Sequence, residues 1–266
     1  MSLRGITSDN DGNLFVVGVD SSNVVIISND GKHHRQILTG EDGLNEPSAI
    51  FFDKHTKKLL ILDPSCGFDI TIINEKTIAI TSEDSIEHIG IDIIDTERRK
   101  KIKFINLPDS PYGITCDHDS LFVCVERRGM YQINTANHIT SHVIRCNLHG
   151  GSFVSVFANK IYYTNWRDHS VVCCDYDGSR VWSFEDTSVL AIPGGITVDN
   201  DGNVFVVGQS SSNVAIISND GKLHREILTD KDGLREPSAI FFDTQTKKLL
   251  VANKKRNCYP LQCYLK

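Results

Sequence analysis

The chain has 266 residues, 40% apolar and 23% charged, with a formal net charge of −6. That length and composition suit one soluble globular domain with a substantial core. The acidic balance argues against a dedicated nucleic-acid binder, and the sequence carries neither a membrane-spanning apolar run nor a secretory leader pattern, so a cytoplasmic protein is expected.

Taken in chain order, the first residues set a pattern that the rest repeats. Leu14-Phe15-Val16-Val17 and Val24-Val25-Ile26-Ile27 are short β-branched and aromatic runs, separated by Asp20-Ser21-Ser22-Asn23 and followed by Asn29-Asp30-Gly31. Such runs between Asn, Asp, Gly and Ser read as strands joined by tight turns. No long stretch carries helical spacing. Residues 4–46 form a first unit. Residues 47–67 form a half unit, with strands at 48–53 and 58–63. Complete units follow at 68–110, 111–150, 151–191 and 192–236, and 237–266 is a partial unit with two clear strands and a tail with room for a third.

The units are repeats. Residues 4–63 and 194–253 align without a gap at an offset of 190, with 44 identities in 60 positions. The near-identity fits either a recent duplication of a two-blade unit or a mis-joined gene. Pro111-Tyr112-Gly113-Ile114-Thr115 is a fainter echo between the copies, and its spacing to Gly195 gives a period near 41 residues, that of a propeller blade. Continuous runs such as Ala239-Ile240-Phe241-Phe242 suit inner strands covered on both faces. The expectation is an all-β propeller of about six four-stranded blades, formed from five full units and two halves. Its closure is left open, because only three residues precede the first strand and none can lend an outer strand to the last blade.

Pro-x-Gly-Ile-Thr-x-Asp, Asp-Gly-Asn, and Val-x-Ile-Ile-Ser-x-Asp-Gly together resemble NHL repeats, most closely those of the C-terminal propellers of tripartite-motif (TRIM) proteins of the invertebrate type. Ile161-Tyr162-Tyr163-Thr164-Asn165, Cys173-Cys174-Asp175 and Gly195-Ile196-Thr197-Val198-Asp199 carry the match, which extends from Gly5 to about Lys254. The resemblance implies a non-catalytic platform that recruits a protein partner or ubiquitination substrate. RNA binding, a role of some such propellers, is the alternative. The RING, B-box and coiled-coil segments of those proteins have no counterpart here, so ubiquitin transfer is not expected of these residues.

In a propeller, the connections between blades share one face with the loops between second and third strands. That face is expected to collect Tyr112, Arg127, Arg128, Phe153, Trp166, Arg167, His169, Arg235 and Lys254. Aromatic residues beside arginines suit protein partners, and they also suit single-stranded RNA. Trp166, between charged neighbours, is the leading candidate. The basic run Arg98-Arg99-Lys100-Lys101 with Lys103 falls on the opposite face and reads as a solvated turn. Glu83, Asp84 and Glu87 would interrupt an RNA path. Metal-dependent lactonase and lyase propellers set metal ligands on first strands; only His118 lies near such a strand end, so no metal, cofactor or catalytic residue is expected. Asp9-Asn10-Asp11-Gly12-Asn13 and its twin at 199–203 fall short of a calcium loop and read as hairpin turns. The eight cysteines include no C-x-x-C pair and read as buried small hydrophobes.

Overall fold

The computed structural model describes residues 3–18, 21–47, 49–53, 57–62, 68–85, 88–244, 246–252 and 263–265. The architecture is the expected all-β propeller. Five sheets have four strands in simple up-and-down order. Blade 1 comprises β1 (Leu3–Ser8), β2 (Leu14–Gly18), β3 (Asn23–Ile27) and β4 (His34–Leu38). A two-stranded unit follows, β5 (Ala49–Asp53) and β6 (Lys58–Leu62). Blade 2 comprises β7 (Ile70–Asn74), β8 (Thr77–Ser85), β9 (His88–Asp95) and β10 (Lys100–Asn106). Blade 3 comprises β11 (Pro111–Asp117), β12 (Ser120–Val125), β13 (Gly129–Asn134) and β14 (Thr140–Arg145). Blade 4 comprises β15 (Val154–Phe157), β16 (Lys160–Asn165), β17 (Ser170–Asp175) and β18 (Arg180–Phe184). Blade 5 comprises β19 (Pro193–Val198), β20 (Val204–Gly208), β21 (Asn213–Ile217) and β22 (His224–Leu228). The last unit has three strands, β23 (Ala239–Asp243), β24 (Lys248–Ala252) and β25 (Cys263–Leu265). Helix among the described residues is confined to two 3-10 turns, Gly40–Asp42 and Asp230–Asp232, each opened by a threonine cap, Thr39 and Thr229.

The ring has five full blades, and the two shorter units do not merge into a sixth. Blade 1 stands between them, so each occupies its own place around the axis. Seven apolar clusters mark the junctions, and each is built from two neighbouring units. Ile91, Ile105, Leu121 and Val123 join blades 2 and 3. Met130, Ile144, Val154 and Ile161 join blades 3 and 4. The decisive cluster is the one that joins the ends of the chain: Ile6, Leu14, Val16 and Ile27 of blade 1 pack on Ala239, Leu250 and Ala252 of the last unit. Ser8 Oγ donates to Asp243 Oδ2 at 3.0 Å, and Lys248 Nζ donates to the Asn29 carbonyl, across the same seam. The ring therefore closes by side-chain packing, with every sheet made of strands consecutive among the described residues. No borrowed outer strand is needed.

The duplicated segments repeat their contacts as well as their letters. Phe52 N donates to Thr7 Oγ1 at 3.2 Å, and Phe242 N to Thr197 Oγ1 at 3.3 Å. Phe15 stacks on Phe52 at 5.3 Å, and Phe205 on Phe242 at 5.7 Å, both with ring planes 9° apart. The Asp9 carboxylate accepts from Asn13 N and Asn13 Nδ2, and Asp199 does the same for Asn203. Both oxygens are thus held in hairpin turns whose glycines, Gly12 and Gly202, sit at φ +78° and +83°. The adjacent Cys173 and Cys174 face opposite junctions, as strand alternation requires, and both are buried free thiols.

First strands approach closely at the axis. Gly113 N donates to the Ser152 carbonyl of the next blade at 3.0 Å, and a Cβ at Gly113 would lie 2.8 Å from both that oxygen and Phe153 Cα. These are backbone atoms, which cannot swing aside. Gly113→Ala is expected to destabilise the domain by about 1–3 kcal/mol in urea denaturation, as overpacked sites do. Gly40→Ala, where the nearest atom would be 3.8 Å away, should stay within about 0.5 kcal/mol of the parent.

Candidate binding site at the channel mouth

The seven first strands enclose a central cavity of about 810 Å³. Its walls carry small and hydroxyl residues such as Thr7, Thr71, Thr115 and Thr197, and four aromatic side chains stand toward one end: Phe68, Tyr112, Phe153 and Trp166. That end is where blade-to-blade connections and second-to-third-strand turns meet, because the antiparallel order brings both to one face.

The aromatic residues are held by their neighbours. Phe68 and Tyr112 rings lie 4.8 Å apart. Trp166 sits in the β16–β17 turn, half-buried, and its Nε1 donates to the Gly150 carbonyl at 2.5 Å. Gly150 also lies against the Tyr112 ring; a Cβ there would be 2.6 Å from the Tyr112 oxygen. The bare backbone of Gly150 thus lets Tyr112 and Trp166 close on it from two sides. The Tyr112 hydroxyl donates to Glu126 Oε2 at 3.2 Å. Partial burial and the Glu126 charge push its pKa up to about 12, so it stays a neutral donor.

Tyr112, Phe153 and Trp166 therefore lie together along the cavity. Arg127 and Arg128 stand beside them in the β12–β13 turn but are engaged: Arg127 Nη2 lies 3.2 Å from Asp109 Oδ1, and Arg128 Nε lies 3.9 Å from Asp109 Oδ2. Arg167 is exposed on the Trp166 turn. His169 Nδ1 accepts from Ile192 N at 2.9 Å, so it staples two connections together. Arg235 is exposed on the β22–β23 connection of the same face. Lys254, the Asp84 side chain and Glu87 lie outside the described residues. Trp166 is not the free loop residue that its neighbours suggested; its indole is partly covered and hydrogen-bonded.

Sequence reasoning missed Phe68 and Asp69. Phe68-Asp69-Ile70-Thr71 aligns with Tyr112-Gly113-Ile114-Thr115, so the signal was an aspartate standing where other blades have glycine. Asp69 Oδ2 accepts from Ile114 N of the next blade at 3.0 Å, and Oδ1 from Ile70 N at 2.9 Å. The inter-blade bond is thereby reversed: Gly113 N donates forward to the next blade, whereas Asp69 accepts from the next blade and its own N–H donates to Thr81 Oγ1 within blade 2. It faces the cavity yet is otherwise surrounded by protein, and burial pushes its pKa up to about 6 despite the two N–H groups that favour the anion. It is the one carboxylate among the described cavity residues, and no His or Cys lines the wall with it. Among the described residues no three His, Cys, Asp or Glu side chains gather into a metal-ligand set.

Comparison with known proteins agrees with the fold. A family described as Beta-propeller repeat matches residues 184–214. The mouse (Mus musculus) E3 ubiquitin-protein ligase TRIM56 is 31% identical over 75 residues, which is 28% of this chain. The chain spans about a tenth of that relative's length, since the match covers 10% of it. The virginiamycin B lyase of Staphylococcus aureus superposes with a TM-score of 0.61 at 17% identity, over 99% of this chain and 84% of the lyase. The extracellular domain of a putative one component system from B. thetaiotaomicron gives 0.70 at 12% identity, over 95% of this chain and 39% of that one. At such identities the likeness is one of fold. The chain is a β-propeller.

Asp69 has a measurable pH signature. The folded carboxyl keeps its proton to about pH 6, whereas the unfolded one releases it near 3.8, so between those values the folded state binds more protons. The stability from this site is full below about pH 4 and declines as pH rises to 6, by up to about 3 kcal/mol at roughly 1.4 kcal/mol per pKa unit. Asp69→Asn should remove that slope. Denaturant unfolding of both proteins across this range is the measurement, and parallel curves would contradict the assignment.

Proposed function

We propose that the domain is a non-catalytic platform that binds a protein partner at the channel mouth, with Phe68, Tyr112, Phe153 and Trp166 receiving the partner's side chains. The observation that carries this reading is the convergence of four aromatic residues at the open end of the cavity. Large, partly desolvated aromatic groups inside a polar rim have the character of interface hot spots. Arg167 and Arg235 belong to that rim.

The adjoining arginines favour protein over RNA. Asp109 engages both Arg127 and Arg128, and Glu126 lies 3.9 Å from Arg127 Nε, so the local charge is largely balanced. A phosphate backbone would have to compete with these carboxylates, in a chain of net charge −6. In this reading the titratable groups of the described cavity wall do structural work: Asp69 ties blades 2 and 3, and Tyr112 packs against Phe68 at the rim. The local likeness to TRIM56 supports recruitment of ubiquitination substrates as the cellular role, with ligase chemistry supplied elsewhere.

Trp166→Ala is expected to weaken partner binding by about 2 kcal/mol or more, roughly thirtyfold, as truncation of a central aromatic does. The lost indole hydrogen bond should lower folding stability by only about 1 kcal/mol. Partner proteins retained on the immobilised domain but lost from the Trp166→Ala form would support the reading. Sub-micromolar binding of random-sequence RNA in fluorescence anisotropy, with affinity falling steeply in salt and with Arg127→Glu, would reverse the order of the two partners.

A further inference from the structure

The duplication provides an internal control behind the channel wall, at the outer edge of the two-stranded unit. Strands β5 and β6 at 49–62 are the twins of β23 and β24 at 239–252, and eight of their ten strand residues are identical, among them Lys58-Leu59-Leu60 and Lys248-Leu249-Leu250. In the last unit a third strand covers this edge. β25 pairs antiparallel with β24, with Lys248 opposite Leu265, Leu249 opposite Tyr264 and Leu250 opposite Cys263. In the earlier unit, no described strand pairs the outer edge of β6.

The apolar residues around the two edges differ accordingly. Leu249, Leu250 and Val251 are 6%, 1% and 1% exposed, while their twins Leu59, Leu60 and Ile61 are partly exposed. Leu228 and Leu234 of blade 5, which face the covered edge, are buried, while their twins Leu38 and Leu44 of blade 1 are partly exposed. On the other side of the β6 edge stand Ile72 and Ile94 of blade 2, also partly exposed. The result is a slot with apolar walls, floored by a strand edge that no described strand pairs, the feature that sheet proteins usually cover or charge.

The shape of the slot limits what can enter. Blades 1 and 2 each carry two more strands than the unit between them, so at about 4.8 Å per strand their edges stand roughly 10 Å farther out. A second folded copy has its own β6 recessed in the same way, and two recessed edges cannot meet. A single extended segment can enter. We infer that β6 is a docking edge for an extended apolar segment of a partner polypeptide, added antiparallel in the manner that β25 adds to β24. Recognition would come from the main-chain ladder, with Leu38, Leu44 and Ile94 receiving aliphatic or aromatic side chains of the kind in Cys263-Tyr264-Leu265.

The probe is a synthetic peptide with the sequence of residues 259–266, carrying Cys263→Ser, added to the full chain. At a peptide concentration about ten times the dissociation constant, hydrogen exchange at the amides of Lys58–Leu62 should slow by about tenfold. Leu44→Glu, a wall substitution off the strand, should weaken the effect by about tenfold or more, because it places a charge in the apolar slot. Leu38→Lys provides a second wall variant if the first does not fold. Three results would overturn the inference: no peptide-induced slowing at 58–62, β6 amides already as protected as those of β24 in the peptide-free chain, or protection that rises with protein concentration alone.

Discussion

The close approach of the first strands around the axis is the constraint on which the rest of the ring depends. Gly5, Gly113 and Gly195 each lie where an added Cβ would stand 2.7–3.1 Å from the backbone of the next unit. That nearness lets Gly113 and Gly195 donate to Ser152 and Ser238 carbonyls and lets Thr7 and Thr197 accept from Phe52 and Phe242. Neighbouring units are thereby tied at their narrow ends by hydrogen bonds and at their broad faces by apolar clusters. Where the pattern changes, at Asp69, the direction of the bond changes with it: the side-chain carboxylate accepts from Ile114 N of the following blade. The change leaves an ionisable group in a place that is otherwise neutral.

The same constraint creates the mouth. Strands that converge on an axis leave a channel, and the connections above it must turn tightly over its rim. Gly150 turns there with no side chain of its own, and Tyr112 and Trp166 occupy the space it leaves. Aromatic exposure at this rim is therefore a product of how the blades meet, and it coincides with the channel by geometry.

Much of this was legible in the sequence. Period-two runs between Asn, Asp and Gly marked the hairpins, and the repeat of Gly-Ile-Thr marked the first strand of successive blades. Tyr112, Phe153 and Trp166 followed from the rule that places two kinds of loop on one face. The number of ring positions did not follow, because counting strands says nothing about which units touch; that depended on Ile6 and Leu14 meeting Ala239 and Leu250. The pairing of Arg127 and Arg128 with Asp109 was hidden as well, since the partner lies on the preceding connection and only the turn of the chain brings it near. Trp166 looked free for the same reason: its acceptor is 16 residues earlier.

The seam between blade 1 and the last unit has a mechanical meaning. Among the described residues every sheet is made of consecutive strands, and no ladder of backbone hydrogen bonds joins blade 1 to the last unit. Leu14, Val16, Ala239 and Leu250 hold that junction by apolar contact, assisted by Ser8 and Asp243. Tension that pulls blade 1 away from the last unit would peel this junction open like an unclasped bracelet, without breaking a ladder between described strands. A propeller fastened by a shared strand would instead have to shear a ladder, so this ring is built to yield first at its clasp and to recover by reburying the same side chains.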